Sequence, residues 1–370
     1  MLEQVQRKIE ILNGRPPFNE VIRTFNDQSI KPPGNDPSIA SFNASLVALC
    51  KSDSEISSFL ADQYHMRANI SPVHFVNLTF RAVQYIQLYV EQGGDHLAYR
   101  YFDSPDQWID RIQRVFGEHK NVTTDILQNK DTVTTIYQRY AGPRSLIGRL
   151  FPDQKIRIAD LGCGANHGLR GIDLNEPFGT IVDETPDSKF SQSLSLPVSI
   201  EDALAIDSEN FESPDANAWY VACSFYPKEL DNVAHVKELE SRLKRSKRVR
   251  FMQTDLLEAG LPEPFFGHFN VVILSTMLYQ HTPENQQKIL EEAVRATKRD
   301  GIVIVQDFAE KDGTSAFGIK FTDSWFNGYR YRTFVIRPKN PSEVLEVFRW
   351  SDGRCTQVKD GEDFKKVFES

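Results

Sequence analysis

Lys155-Ile156-Arg157-Ile158-Ala159-Asp160-Leu161-Gly162-Cys163-Gly164-Ala165-Asn166 is the stretch whose reading decides the fold. Its first four residues alternate basic and apolar side chains, the period of a strand, and the run then passes into an acid and two glycines at i and i+2. This is a strand that ends in a ligand-binding turn. Glycine suits such a turn because a side chain would block close approach of the backbone to a nucleoside, and because the turn asks for positive φ. Asp160 falls at the strand's carboxyl end, where open α/β sheets bind their ligands.

The dinucleotide fingerprint needs a third glycine three residues after the second, but His167 stands there and Gly168 comes one place late. A pyrophosphate cradle is therefore disfavoured. The order acid-x-Gly-x-Gly resembles motif I of the class I S-adenosylmethionine-dependent methyltransferases. The resemblance implies that Asp160, Gly162, Gly164 and Asn166 line the amino-acid end of S-adenosyl-L-methionine, a ligand without phosphate. Asn166 departs from the pattern, since the family often has a third glycine at that place.

From residue 156 onward the texture is strand, turn, helix, repeated, which implies βαβ units and a parallel sheet. After the first strand, the pattern predicts strands over 203–207, 249–254, 269–274 and 301–305, with a long helical stretch over 215–243. Three antiparallel strands follow over 333–337, 345–350 and 355–358, the last two joined by the turn Ser351-Asp352-Gly353-Arg354. The expected fold is a Rossmann-like mixed seven-stranded sheet flanked by helices, over residues 131–370.

Residues 1–130 carry helical patterning instead. Ser71-Pro72 opens a helix with a broad apolar face, and residues 104–115 place Trp108, Ile109, Ile112 and Val115 at helical spacings. Residues 29–43, with Pro32-Pro33-Gly34-Asn35, read as a loop. This part is expected to be an all-helical cap or lid domain.

Three successive strands end in acids: Asp160, Asp207 and Asp255. By the same resemblance, Asp207 takes the ribose hydroxyls, Asp255 with the backbone of Leu256 contacts the adenine, and Ser275 closes the cofactor set. A carboxylate suits a ribose because it accepts from both hydroxyls at once. Asp207 follows Asp160 by far more than the roughly 20 residues of a simple βαβ unit, so something has been inserted. The insertion, near 175–197, holds Pro177, Gly179, Pro186 and Pro197 and is expected to be a pocket wall or a surface excursion. Asp173 is a rival second acid, but the stretch from Gly164 to Gly171 is too short for a parallel crossover of about a dozen residues, which assigns it to the insertion.

The segment Ser275-Thr276-Met277-Leu278-Tyr279-Gln280-His281 follows the fourth strand, and in the family it faces the transferring methyl group. His281, whose ordinary pKa lies near neutrality, is a candidate general base, as is Asp307 just after the fifth strand, and Tyr279 completes the candidate catalytic residues. Tyr137 and Tyr140 precede the first strand and either close over the cofactor or pack in the core.

The net charge of −8 on 370 residues disfavours nucleic acid as the partner, although residues 242–250 and the cluster Arg330, Tyr331, Arg332, Phe334 and Arg337 are locally basic. Four scattered cysteines argue against a disulfide framework and a zinc site, and no metal is expected. The charged N-terminal residues lack a signal-peptide core, and no apolar run approaches the roughly 20 residues needed to span a bilayer, so a cytoplasmic location is expected. The reading is a methyltransferase acting on a small metabolite or natural product at an O, N or C nucleophile. Its alternatives are aminocarboxypropyl transfer or cyclisation releasing 5'-methylthioadenosine, an RNA or protein methyltransferase, or a non-catalytic binding protein. A homodimer stays open.

Overall fold

The computed structural model describes residues 17–67, 70–93, 104–133, 136–185, 188–227, 233–313, 315, 317–321 and 330–368. The reading of the first eight residues as lacking a secretion signal lies outside the described residues. The chain divides into two units, Met1–Val133 with Ala218–His235, and Thr134–Asn217 with Val236–Ser370.

The first unit contains the helices Phe18–Ile30, Pro37–Ser52, Ser54–Met66, Pro72–Tyr85, Pro105–Glu118 and Lys120–Asn129. Their starts are written in the sequence. Asp36 and Asp53 accept hydrogen bonds from the first-turn amides that follow them, and Ser71-Pro72 and Ser104-Pro105 pair a capping hydroxyl with a proline at the first helical position. The loop expected over 29–43 is corrected here: only a short 3-10 turn, Pro33–Asn35, separates two helices, because Asp36-Pro37 is itself such a cap. The core centres on Phe42, whose ring meets Phe80 and Trp108 edge-on at 5.1 and 5.2 Å.

Residues 218–235 pack with this unit, which the linear division at 130/131 leaves out. Buried Arg81 donates to the carbonyls of Ala222 and Phe225, and Gln84 Nε2 donates to Ala222 O at 2.6 Å. Both side chains thereby satisfy the carbonyl end of helix Pro214–Ser224, whose dipole is the partner for the arginine charge. The single helical stretch expected over 215–243 is thus two helices, Pro214–Ser224 and Val233–Leu243.

The described residues of the second unit form ten strands: β1 Lys155–Leu161, β2 Val182–Asp183, β3 Ser199–Asp207, β4 Val249–Gln253, β5 Phe269–Ser275, β6 Thr297–Lys311, β7 Ile319–Phe321, β8 Tyr331–Arg337, β9 Asn340–Trp350 and β10 Gln357–Asp360. Their order is β2-β10-β9-β8-β6-β5-β1-β3-β4, with β7 pairing the far end of β6. Strands β4, β3, β1, β5 and β6 are parallel, and β8, β9 and β10 continue the sheet antiparallel. This is the expected mixed Rossmann-like sheet, extended past seven strands at its antiparallel edge.

The inner strands are apolar on both faces, as a sheet covered by helices requires. Ile158, Ala203, Ala205, Ile273 and Ile304 feed one buried layer, while Ala159, Leu161, Leu204, Ile206, Val272 and Leu274 feed the other. The chain reverses direction in the sheet at β1, which has β3 on one side and β5 on the other, and such switch points open a crevice at the carboxyl ends.

The insertion near 175–197 accounts for the long gap between β1 and β3. It crosses to the opposite edge, where β2 pairs with β10, then returns through the helix Phe190–Ser195. The Phe178 ring stacks on Tyr137 at 4.4 Å, and Ser188 Oγ donates to Asp360 Oδ1 at 3.1 Å. The expectation of a pocket wall gives way to an edge strand with its own packing. Asp173 lies outside the insertion, on helix His167–Leu174, where it accepts from Ser246 Oγ at 2.7 Å.

That short helix carries Gly168 and Gly171 against the 3-10 turn Tyr137–Tyr140. A Cβ at either position would lie 2.0 Å from the Tyr140 or Tyr137 ring. Alanine in a helix ordinarily gains about 1 kcal/mol over glycine, but overpacking costs typically about 1–3 kcal/mol. Gly168→Ala should therefore lower stability in urea denaturation; a gain would mean the Tyr140 ring is not packed there.

Candidate functional site

Asp160 is fully buried under the turn that follows β1. Its Oδ2 accepts from the Tyr140 hydroxyl at 2.8 Å, while Oδ1 has no hydrogen-bond partner among the described residues. Burial pushes its carboxyl up to about 7, with the Tyr140 hydrogen bond opposing and the Asp207 charge adding.

The turn takes positive φ at Gly162 (76°), Gly164 (53°) and Asn166 (56°). Two glycines make that path sterically free, and asparagine is among the few other residues that accept it. The N–H groups of Gly162 and Cys163 both donate to Ile206 O, at 2.9 and 3.0 Å, and Gly164 N–H donates to Asp207 Oδ2 at 2.8 Å. The second strand end is thereby tied to the turn. Asp207 Oδ1 accepts from Glu209 N–H at 3.2 Å, and the Ser208 N–H also donates to this carboxylate, which leaves it acceptor capacity for a further donor. The Asn166 side chain is buried, and neither its oxygen nor its nitrogen has a partner among the described residues.

The other predicted positions are placed less centrally. Asp255 is exposed, two residues beyond β4, and its Oδ1 accepts from Leu257 N–H at 2.8 Å. A bond from Thr254 N–H to Asp207 O, 2.9 Å, joins this segment to the site. Leu256 is half-buried against the lower apolar layer.

Ser275 ends β5 in register with Gln306 of β6. The next residue, Thr276, has φ of 58°, a conformation that costs a β-branched residue on the order of 1–3 kcal/mol. Thr276 N–H donates to Gln306 O at 2.8 Å, its carbonyl accepts from Gln280 Nε2 at 3.4 Å, and its Oγ1 lies 2.5 Å from the Tyr331 hydroxyl and 3.5 Å from Ser275 Oγ. Met277 then folds over the glycine turn, so that a Cβ at Gly162 would fall 2.6 Å from its sulfur.

Asp307 is buried and engaged at both oxygens by backbone. Oδ2 accepts from Leu278 N–H at 2.8 Å and Tyr279 N–H at 3.4 Å, and Oδ1 accepts from Phe308 N–H at 2.7 Å. Burial nevertheless pushes its carboxyl up to about 7. This is the pattern of an anchor for the 3-10 turn Leu278–Gln280 rather than of a group aimed at substrate. Tyr279 packs edge-on against Phe308 at 5.2 Å. His281 is half-buried, with its N–H donating to Leu278 O at 3.0 Å and its carbonyl accepting from Gln286 Nε2 at 2.9 Å.

The structure thus brings together Asp160, Gly162, Gly164, Asn166, Asp207 and Ser275 at the carboxyl edge. Tyr140 proves to be the partner of Asp160, a contact its place before β1 only hinted at. Met277 and Tyr331 were not singled out for the site, and no local signal marks them: a methionine after a strand and a tyrosine opening another are ordinary core residues. Several residues of the basic segments are paired with acids of the same chain, while Arg245 and Lys247 donate to the carbonyls of Arg242 and Lys244. Arg242 meets Glu176, Lys244 meets Glu240, Arg248 meets Asp173, Arg250 meets Asp202, and Arg330 meets Glu310.

No family model and no curated protein matches this chain. Among solved structures it is similar to the [4+2]-cyclase SpnF, with 15% identity over 50% of this chain and 51% of that one and a TM-score of 0.28. It is also similar to the plantazolicin methyltransferase BpumL in complex with a substrate analogue and SAH (13% identity, 63% and 60% covered, TM-score 0.27). A third is phosphoethanolamine N-methyltransferase 2 of Haemonchus contortus in complex with S-adenosyl-L-methionine (16% identity, 47% and 29% covered, TM-score 0.26). The matched part spans about half the length of the first structures.

What the site can hold follows from its own donors and acceptors. A buried acceptor at Asp160 Oδ1 fits an ammonium group, the Asn166 amide fits a carboxylate or an amine, and Asp207 has capacity for vicinal hydroxyls. Buried polar atoms left without partners cost about 1–3 kcal/mol each, which a ligand with matching groups removes.

The raised pKa of Asp160 has a definite sign. Between about pH 4 and pH 7 the native carboxyl keeps a proton that the unfolded chain has lost, so stability falls as pH rises through that window. Asp307 acts in the same direction. Asp160→Asn should flatten the decline in urea midpoint across this range, and an unchanged slope would show that Asp160 is ionised in the native state.

Proposed function

We propose that this chain is an S-adenosylmethionine-dependent methyltransferase acting on a small molecule. The observation that carries the cofactor is a buried oxygen of Asp160 and a buried Asn166 amide, both without a partner among the described residues, at a glycine turn that is tied to Asp207. An ammonium, a carboxylate and a pair of ribose hydroxyls are the groups this set accepts.

When bound, the cofactor supplies an electrophilic methyl group on a sulfonium. The chain's residues then do the following. Asp160, ionised, pairs with the ammonium while Tyr140 holds its other oxygen. Asp207 accepts from the ribose hydroxyls without releasing Gly164. Asp255 and the Leu256 backbone face the adenine. Met277 and the glycine turn limit water at the reacting centre. In-line displacement then needs chiefly an aligned nucleophile, with His281 accepting its proton and Asp307 holding the segment by its backbone.

A small acceptor is favoured because the net charge is −8 and four basic residues of 242–250, with Arg330, are in ion pairs with the chain's own acids.

Calorimetry tests the cofactor. S-adenosylhomocysteine should bind the wild type, Asp207→Ala should abolish binding, and Asp173→Ala should leave it intact because Asp173 is held by Ser246 and Arg248 on the far side of its helix. Affinity should rise from about pH 6 to about pH 8 as Asp160 ionises to meet the ammonium, and Asp160→Asn should remove that rise. Mass spectrometry of the sulfur by-product, with a low-mass cell extract as acceptor pool, then reads the reaction: S-adenosylhomocysteine supports methyl transfer, and 5'-methylthioadenosine would replace it with attack on another sulfonium carbon.

A further inference from the structure

The segment after β5 carries a conformation that its own residues disfavour. Thr276 is β-branched and sits at φ of 58°, a region glycine enters freely and threonine does not. A strained residue persists only where its surroundings over-determine it. Here the surroundings are β6 and β8: Gln306 O takes the Thr276 N–H, and the Tyr331 hydroxyl meets Thr276 Oγ1 at 2.5 Å.

Tyr331 is well fixed for such a task. It is fully buried, Phe308 packs against its ring at 4.9 Å, and the Arg139 guanidinium lies 5.8 Å from the ring centroid. Burial pushes its pKa up, so the hydroxyl stays protonated and able to donate. Immediately beyond the strained residue, Met277 packs on Gly162. The path from Tyr331 to the glycine turn therefore runs through two residues.

We infer that Tyr331 is a positioning residue for the cofactor turn: its hydroxyl holds Thr276 left-handed, and this keeps Met277 seated on Gly162. The role rests on the cofactor reading above. Tyr331 touches no ligand in this arrangement, and its effect is passed through the backbone of Thr276. Glycine at 276 would adopt the same backbone without the hydroxyl's help, and alanine would not.

That difference supplies the test. Tyr331→Phe and Thr276→Ala each remove the hydrogen bond and keep the strain, so each should weaken S-adenosylhomocysteine binding by about tenfold in calorimetry. Thr276→Gly should bind nearly as the wild type does, and Tyr331→Phe combined with Thr276→Gly should recover to within about threefold. A purely structural role would lower thermal stability without moving the affinity of the folded protein, and the glycine would not rescue it. Unchanged affinity in both Tyr331→Phe and Thr276→Ala, with a wild type that binds, overturns the inference. A wild type that fails to bind overturns the cofactor reading and the positioning role together. Amide exchange over 276–279 would still decide the clamp itself, being faster in Tyr331→Phe if the hydroxyl holds the turn and unchanged if it does not.

Discussion

A carboxyl group is buried at the carboxyl end of the central strand, and the geometry around it follows from the need to keep it there. Burial raises the pKa of Asp160, and among the described residues only one of its oxygens has a partner, Tyr140. The Tyr140 ring in turn requires a helix with no side chain at position 168, which is why a glycine stands one place late for a dinucleotide loop. The turn above Asp160 is closed by three amides that donate to β3, two to Ile206 O and one to the Asp207 carboxylate. One buried acid thus couples the first strand, the turn, the following helix and the second strand end.

The opposite side of the crevice is held by a different device. After β5 the chain makes a tight reversal through a left-handed threonine, and two side chains from neighbouring strands hold it. Tyr331 fixes the threonine hydroxyl, and Asp307 takes the amides of the next turn. An acid that a linear reading offers as a base therefore acts on backbone. The same arrangement positions the backbones of Tyr279 and His281.

The fold was legible where local chemistry decides it. The alternation in β1, the glycine spacing, the acid at the end of β3 and the parallel strands through β6 were all readable, because strand period and turn chemistry are short-range properties. Readings that needed knowledge of distant partners went astray. Residues 29–43 read as loop because prolines and glycine cluster there, whereas Asp36-Pro37 begins a helix. The insertion near 175–197 read as a pocket wall or a surface excursion, and nothing local showed that it supplies β2 to an edge strand that lies far along the chain. Helix Pro214–Ser224 gave no sign that Arg81 and Gln84 would satisfy its carbonyl end.

The sequence by itself determined the parallel core, the glycine turn and the acids that converge on it, since each depends on a residue and its near neighbours. Tertiary structure alone decided which of those groups are engaged and which are left open to a ligand. Asp160, near the end of β1, and Asp307, within β6, are both buried acids, yet among the described residues Asp307 has both oxygens bound by backbone amides and Asp160 has one oxygen without a partner. The difference comes from which backbone and side-chain donors the sheet brings within 3 Å, and such distances are set by packing between segments far apart in the chain.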